Sequence, residues 1–591
     1  MHAPSTGSRP STDTAWGWAR VLHPYRWAIV ALLLCQLGQT SASLVLPTLS
    51  ADVINHGIAA QAPTVVRRLG WWMALAALIQ LGLNAAALWF GARIAMGVGR
   101  DLRNQLFEQV HRFAMHELQT LGVPSLITRC TNDVLQLQTM LMMVLTMIII
   151  APFMGIGGLI MAVHQDVHLS RTVMLAVPVL AVLVGGLMSQ AVPLFQQMQT
   201  RLDRVNGILR EQLTGLRVIR AFVRDHAEQQ RFAQANDALT ETSLRAGRLM
   251  ALNMPAVTSV MHLTGVALIW VAADRIRDGQ LQVGALVAFL SYLALILISV
   301  MMAAMLFVMA PRALISARRI SEVMHTPVSI QSPQPALQLP AAPRLELAFH
   351  DVSFGYPGAQ AMVLEHISFR VCAGETLGII GATGSGKSTL LSLIPRFHDV
   401  TAGAITLNGV DVRSLDSAAL YQLTGLVPQQ AFLFSGTVAD NLRYGCADAT
   451  DEQLWQALSL AQARDFIEAI PEGVQAPVSQ GGGNFSGGQR QRLTIARALV
   501  AQPAMLLFDD SFSALDAATD AQLRAALRQQ LGADTLTLIV GQRVASLRTC
   551  DRILVLDKGR VIGEGPHQHL LTHCPAYAEI VASQSGTGGA A

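Results

Sequence analysis

Gly381-Ala382-Thr383-Gly384-Ser385-Gly386-Lys387-Ser388 is the stretch on which the reading of this chain turns. The apolar run 377–380 precedes it, and Thr389-Leu390-Leu391-Ser392-Leu393 follows it. The order reads as buried strand, glycine-rich loop and helix, which argues against a chance glycine turn. Glycines let backbone N–H groups curve around phosphate oxygens, and a helix N-terminus adds a favourable dipole. Lys387 then reaches the β- and γ-phosphates, with Ser388 placed to ligate Mg²⁺ and Thr389 beside it.

Working outward, the bulk composition excludes several classes. The chain has 591 residues, too many for one core. It is 52% hydrophobic and 14% charged, with mean hydropathy +0.40, which points to membrane spans. A net charge of +3 gives no reason to expect a nucleic acid partner. Of the 42 basic residues only Lys387 and Lys558 are lysines. Lys387 sits in the phosphate loop, where a compact ammonium acts as a point charge. Cys35, Cys130, Cys372, Cys446, Cys550 and Cys574 have no metal-ligand spacing and read as unpaired thiols.

Six apolar stretches are long enough to span a bilayer: 27–50, 70–91, 137–163, 173–193, 249–273 and 283–309. Arginines crowd the connections after the second and fourth stretches and follow the sixth. The positive-inside rule therefore predicts that both termini and both long connections are cytoplasmic. Polar residues inside the stretches are few, among them Gln36, Asn253 and His262. A hydrophobic or amphipathic substrate and the surrounding membrane lipid are the expected contacts. From Leu345 onward short β-rich runs alternate with helices, which predicts an α/β domain with a largely parallel sheet. The expected divisions are a tail (1–22), a membrane domain with long helical extensions (23–325), a linker (326–344), the α/β domain (345–585) and a tail (586–591).

Phe485-Ser486-Gly487-Gly488-Gln489, Leu506-Leu507-Phe508-Asp509-Asp510 and Gly541-Gln542-Arg543 complete a set that resembles the nucleotide-binding domain of ATP-binding-cassette (ABC) transporters. Arg129-Cys130-Thr131-Asn132-Asp133 and the segment 216–222 resemble parts of the exporter-type membrane domain. The resemblance implies an all-α six-helix membrane domain followed by an α/β P-loop ATPase, in a bacterial inner membrane. It implies ATP and Mg²⁺ as cofactors. Gly381 to Thr389 would bind the phosphates, and Tyr356 would stack on adenine. Ser388, Gln429 and Asp509 would serve Mg²⁺. Gln429, Asp510 and Gln542 would carry the catalytic positions. Ser486, Gly487, Gly488 and Gln489 would dock onto ATP held by another subunit.

Two positions depart from the family. Asp510 stands where Glu is usual, one methylene shorter, and Gln542 stands where His is usual. A misplacement of about 1 Å costs on the order of 100-fold in rate, and a glutamine cannot carry the charge of a histidinium. Both changes on one catalytic face imply a site that binds ATP and hydrolyses it poorly. The chain then resembles the degenerate-site subunit of heterodimeric bacterial multidrug or lipid transporters, with a partner half that supplies Glu and His. A homodimeric lipid flippase, an exporter-fold importer of lipid or siderophore, and an ATP-binding membrane regulator are the alternatives.

The topology is testable with the six native cysteines replaced. Cysteines introduced at Gln61 and Gly279 should react with impermeant thiol reagents outside intact cells, and one at Gln229 should not. Labelling of position 229 from outside would overturn the orientation.

Overall fold

The computed structural model describes residues 21–340, 344–530 and 534–585. The expected tail 1–22 lies outside these residues except for its last two, and the tail 586–591 lies outside them entirely. The chain forms two compact units. One comprises the residues up to His111 together with Val123–Thr326; the other comprises Arg112–Gly122 and the chain from Pro327 onward.

In the first unit, among the described residues, six helices are long and apolar enough to cross a membrane. They are α1 (His23–Ile58), α2 (Pro63–Arg112), α4 (Val123–Gln165), α5 (Val167–Thr214), α7 (Asp225–Arg277) and α8 (Val283–His325). Two short helices follow α2 and α5: α6 (Leu216–Ala221) in this unit, and α3 (Met115–Leu121), which belongs to the second. At 53 residues α7 is about 80 Å long, against a hydrocarbon core of about 30 Å. Only part of such a helix can lie in lipid, and the arginine-bearing remainder runs beyond it.

The Arg-x-x-Asn-Asp segment is a π-helical turn, Arg129–Asp133, inside α4. It is tied to α8 by named contacts. Arg129 pairs with Glu322 at 2.8 Å, and the Ser316 hydroxyl donates to Asp133 Oδ1 at 2.8 Å. Arg129 and Asp133 are buried, so these partners offset a desolvation cost that neither charge could bear alone. Further along, Tyr292 of α8 is fully buried, within hydrogen-bond distance of the Thr48 hydroxyl (2.6 Å), and donates to the Leu44 carbonyl (3.1 Å) of α1.

The second unit has two main sheets. A four-stranded antiparallel sheet runs β2–β1–β4–β5, from β1 (Glu346–Phe354), β2 (Leu364–Cys372), β4 (Ala402–Leu407) and β5 (Val410–Asp411). A six-stranded sheet runs β10–β9–β3–β8–β7–β6. Its members are β3 (Thr376–Gly381), β6 (Thr424–Val427), β7 (Met505–Asp509), β8 (Leu536–Val540), β9 (Arg552–Asp557) and β10 (Arg560–Gly565). All neighbours are parallel except β9 with β10. The inner strands are buried on both faces, which is why Leu506-Leu507-Phe508 and Leu536 to Val540 read as unbroken apolar runs. The helices that bear on the nucleotide site are α9 (Lys387–Leu393), α10 (Gly487–Val500) and α11 (Pro575–Ser585).

One long-range cap holds the start of α8. Its N-cap residue, Gln282, makes no side-chain cap, and Asn55 Oδ1 instead accepts the Gly284 N–H at 2.7 Å. Gly284 has no room for a Cβ, which would meet the Ala51 carbonyl and the Asn55 side chain. Asn55→Ala should destabilise the membrane unit by about 1 kcal/mol, the usual cost of a lost cap. Gly284→Val should cost clearly more. Melting of detergent-solubilised protein, followed by tryptophan fluorescence, checks the order; a harmless Gly284→Val refutes the packing.

Candidate nucleotide site

The site is built on the C-terminal ends of β3, β7 and β8. Backbone register sets Val540 opposite both Ile379 and Asp509. The glycine loop, Asp509 with Asp510, and Gly541-Gln542 therefore leave the sheet at one edge. A cleft of ≈ 280 Å³ opens there, lined by Val363, Thr383, Gly384, Gly386, Lys387, Ser388, Thr389, Gln429, Asp509, Asp510, Val540 and Gln542.

Two glycines in the loop have left-handed backbone, Gly384 at φ +84° and Gly386 at φ +98°. Gly386 also caps α9, and a Cβ there would sit 2.6 Å from Leu364 Cδ2. Among the described residues nothing lies within 4 Å of a Cβ at Gly384, so the outer face of the loop is open to them. The Lys387 ammonium folds back into the loop, donating to the carbonyls of Gly381 (2.9 Å) and Ala382 (2.7 Å) and, at 3.4 Å, to the Ser385 hydroxyl. Ser388 Oγ donates to Asp509 Oδ1 at 2.8 Å. An open glycine cradle, a cation at its centre and a hydroxyl–carboxylate pair of hard oxygens fit a nucleoside triphosphate with Mg²⁺. Bound there, Mg²⁺ would neutralise phosphate charge, with Ser388 and Asp509 as its protein oxygens.

Electrostatics follow from burial. Desolvation pushes the Lys387 ammonium below its ordinary value, with Asp510 and Asp509 opposing. Burial raises the Asp509 carboxyl; the Ser388 hydrogen bond opposes that and Asp510 adds to it. Burial also raises the Asp510 carboxyl, against Lys387, Gln542 and Arg543. Asp510 is 8% exposed and has a left-handed backbone, φ +46°, which Asp tolerates better than most residues. Gln542 Nε2 donates to Asp510 Oδ2 at 3.0 Å.

The remaining sequence-derived residues fall around this cleft or away from it. Tyr356 is partly buried, its hydroxyl 3.1 Å from Thr389 Oγ1. Its ring meets those of Phe354 and His398 edge-on, at 5.0 and 5.3 Å. Burial holds the His398 imidazole below its usual value, helped by His116 and opposed by Glu117 of α3. Ser486, Gly487, Gly488 and Gln489 are not among the residues lining the cleft. They begin α10 as a capping box: Ser486 N–H donates to Gln489 Oε1 at 2.9 Å, and Gln489 N–H to Ser486 Oγ at 3.3 Å. Phe485, where Leu is commoner in the family, is buried against Phe466, so the larger ring fills core.

Three supporting residues escaped sequence reasoning. Ser511 Oγ donates to the Val427 carbonyl at 2.9 Å, and Gln491 Nε2 to the Pro428 carbonyl at 3.3 Å. Both hold the root of the segment that carries Gln429. Gln584 Nε2 donates to the Gln542 carbonyl at 2.7 Å. Their partners are 84, 63 and 42 positions away, and no local pattern marks them.

Family models match both halves of the chain: the ABC transporter transmembrane region over residues 29–301, and the ABC transporter model over 364–513. An uncharacterized ABC transporter ATP-binding protein of Mycobacterium tuberculosis is 45% identical over 571 residues, covering 95% of this chain and 97% of the relative. The chain belongs to the ABC transporter family. It is an exporter-type half-transporter, a transmembrane region fused to an ATPase domain, and a multi-pass membrane protein. An Atm1-family ABC exporter with ATP bound has the same fold, with TM-score 0.79, 25% identity, and coverage of 96% of this chain and 100% of that one. An ATP-dependent lipid A-core flippase of Desulfotalea psychrophila is 30% identical over 81% of this chain and 83% of its own length. A multidrug efflux ATP-binding/permease protein of Mycobacterium bovis is 34% identical over 92% of this chain and 45% of its own length. As in other ABC transporters, the ATPase domain couples ATP hydrolysis to transport.

The cradle can be tested by two alanines. Gly384→Ala meets open space, whereas Gly386→Ala meets Leu364 and Val363 at the helix start. Both pay for a left-handed backbone, but Gly386→Ala should weaken ATP binding several-fold more, since the penalty there adds a steric term to about 1–2 kcal/mol of backbone strain. Titration with a fluorescent ATP analogue reads the order; equal losses count against this geometry.

Proposed function

We propose that this chain is one half of a heterodimeric ABC exporter for a hydrophobic or amphipathic substrate, drug-like or lipid, and that its own ATP site hydrolyses slowly. The observation that carries the reading is the 3.0 Å hydrogen bond from Gln542 Nε2 to Asp510 Oδ2. The two residues that depart from the family pattern engage each other. Asp510 is shorter than the usual Glu, and one of its oxygens is already committed to an amide. Gln542 is neutral, so it offers hydrogen bonds to a γ-phosphate but no positive charge.

The roles follow from the cleft. Gly381 to Thr389 hold the phosphates, Tyr356 faces adenine, and Ser388, Gln429 and Asp509 serve Mg²⁺. Asp510 and Gln542 then hold the water-activating and γ-phosphate-sensing positions in weakened form. Ser486 to Gln489, outside this cleft, complete the partner's site. ABC exporters work as dimers, and a partner with Glu and His would supply the competent site. The similarity to a lipid A-core flippase and to a multidrug efflux protein supports an apolar or amphipathic cargo. We place the membrane domain at 23–325, the linker at 326–344 and the ATPase domain at 345–585. The protein then resides in a bacterial inner membrane with both termini cytoplasmic.

The experiment compares heterodimers at saturating ATP. Asp510→Ala should leave much of the steady-state ATPase rate, because it alters a site already slow. Gly487→Asp should lower the rate at least ten-fold more, because it sets a carboxylate against the partner's γ-phosphate in a water-poor interface. If Asp510→Ala abolishes turnover and Gly487→Asp is mild, this chain holds the working site. If the chain alone turns over as fast as any mixed complex, the homodimeric reading takes its place.

A further inference from the structure

Helix α11 carries an apolar stripe that ends in one amide. Tyr577 is fully buried, with its hydroxyl 2.7 Å from His567 Nδ1, and Ile580 and Val581 pack on the same core as Val544, Leu547 and Cys550. Gln584 continues that stripe two turns beyond Tyr577, at helical spacing. Its carboxamide meets the backbone of the 541–544 turn with both ends. Nε2 donates to the Gln542 carbonyl at 2.7 Å, and Oε1 accepts the Val544 N–H at 2.8 Å. Only a carboxamide side chain offers a donor and an acceptor side by side in this way, and Asn is one methylene short. Gln542 itself reaches on to Asp510 Oδ2. The Gln542 amide nitrogen has a second N–H beyond the one given to Asp510.

We propose that Gln584 is a positioning residue of the nucleotide site. It fixes the backbone of Gln542 so that one N–H of the Gln542 carboxamide holds Asp510 and the other faces the γ-phosphate of ATP. The proposal rests on the assignment of Asp510 and Gln542 to the nucleotide site. The C-terminal helix thereby sets how well the site distinguishes a triphosphate from a diphosphate. Gln584 is not among the residues that line the cleft; it acts through Gln542.

The test is a titration of the full-length chain with Mg²⁺ and either the non-hydrolysable analogue AMP-PNP or ADP, which lacks the γ-phosphate. It needs no turnover, so it reads the same whether the site is slow or fast. Gln584→Met keeps the length and apolar packing but removes both hydrogen bonds. It should leave ADP affinity unchanged and lower AMP-PNP affinity about five-fold, the scale of one displaced hydrogen bond. Gln584→Glu, which keeps the acceptor for Val544 N–H but sets a carboxylate oxygen against the Gln542 carbonyl, should lower AMP-PNP affinity at least as far as Gln584→Met. Gln542→Ala should lose the same preference, and Gln584→Met added to it should lose nothing more. If Gln542→Ala loses the preference while Gln584→Met keeps it, the positioning role is wrong and the site assignment stands. If the double variant loses more than either single one, or ADP and AMP-PNP weaken together, Gln584 acts through general stability and the proposal fails. If Gln542→Ala keeps the preference, the γ-phosphate assignment itself falls, and the proposal with it.

Discussion

The parallel register of β7, β8 and β3 is the constraint on which the nucleotide site depends. Val540 lies opposite Asp509 on one side and Ile379 on the other. That alignment delivers a cation, two carboxylates and an amide to one sheet edge, although they come from three separate segments of the chain. Strand side chains alternate faces, so a slip of one residue would turn Asp509 away from Ser388 and into the core. The buried faces of these strands prevent such a slip. Leu506, Leu507, Phe508, Leu536 and Leu538 are all fully buried, and each would exchange its surroundings for the opposite face. Chemistry at the edge is thus held by apolar burial several residues back.

The membrane unit answers a different constraint. In lipid every backbone group must be satisfied within the chain, which leaves helices as the simple solution for these segments. Hydropathy located the six apolar windows because lipid selects side chains over about 30 Å. It did not locate helix ends. The first window, 27–50, sits inside a helix that runs His23–Ile58, and the third, 137–163, inside one that begins at Val123. Beyond the bilayer the selection on side chains relaxes while the helix continues, so composition and conformation part company. The π-helical turn at Arg129–Asp133 shows the same limit. Its residue types were legible as a motif, but its ties to Ser316 and Glu322 join positions 183 and 193 residues apart.

A similar division runs through the site. Gly381 to Ser388 was legible because a phosphate loop is local: strand, glycines and helix are contiguous, and their physics is written in order. The Asp509–Asp510 pair was legible because a strand ends there. What sequence could not supply was contact. Asp510 and Gln542 stood out separately as departures, 32 positions apart, and nothing in either segment reveals that one donates to the other. Gln584 carried no signal at all, since an amide near the end of a helix is ordinary until the backbone it faces is known.

The electrostatics give the proposed asymmetry a physical form. The cleft holds a buried carboxylate, a partly buried one and a buried ammonium, and desolvation disfavours the charged form of all three. Binding a triphosphate with Mg²⁺ in such a place relies chiefly on the backbone N–H groups of the loop, on Lys387 and on the metal; of the two substituted positions, Gln542 adds one neutral amide N–H toward the γ-phosphate. Hydrolysis asks for something further: a base correctly placed on water and a group that answers the charge developing at the γ-phosphate. Asp510 is short for the first task and half engaged by an amide, while Gln542 is neutral for the second. The substitutions therefore fall on the step that separates hydrolysis from binding. A site altered in this way would keep its hold on ATP and lose speed, and nucleotide held for longer would favour the closed pairing of two ATPase domains while the opposite site turns over.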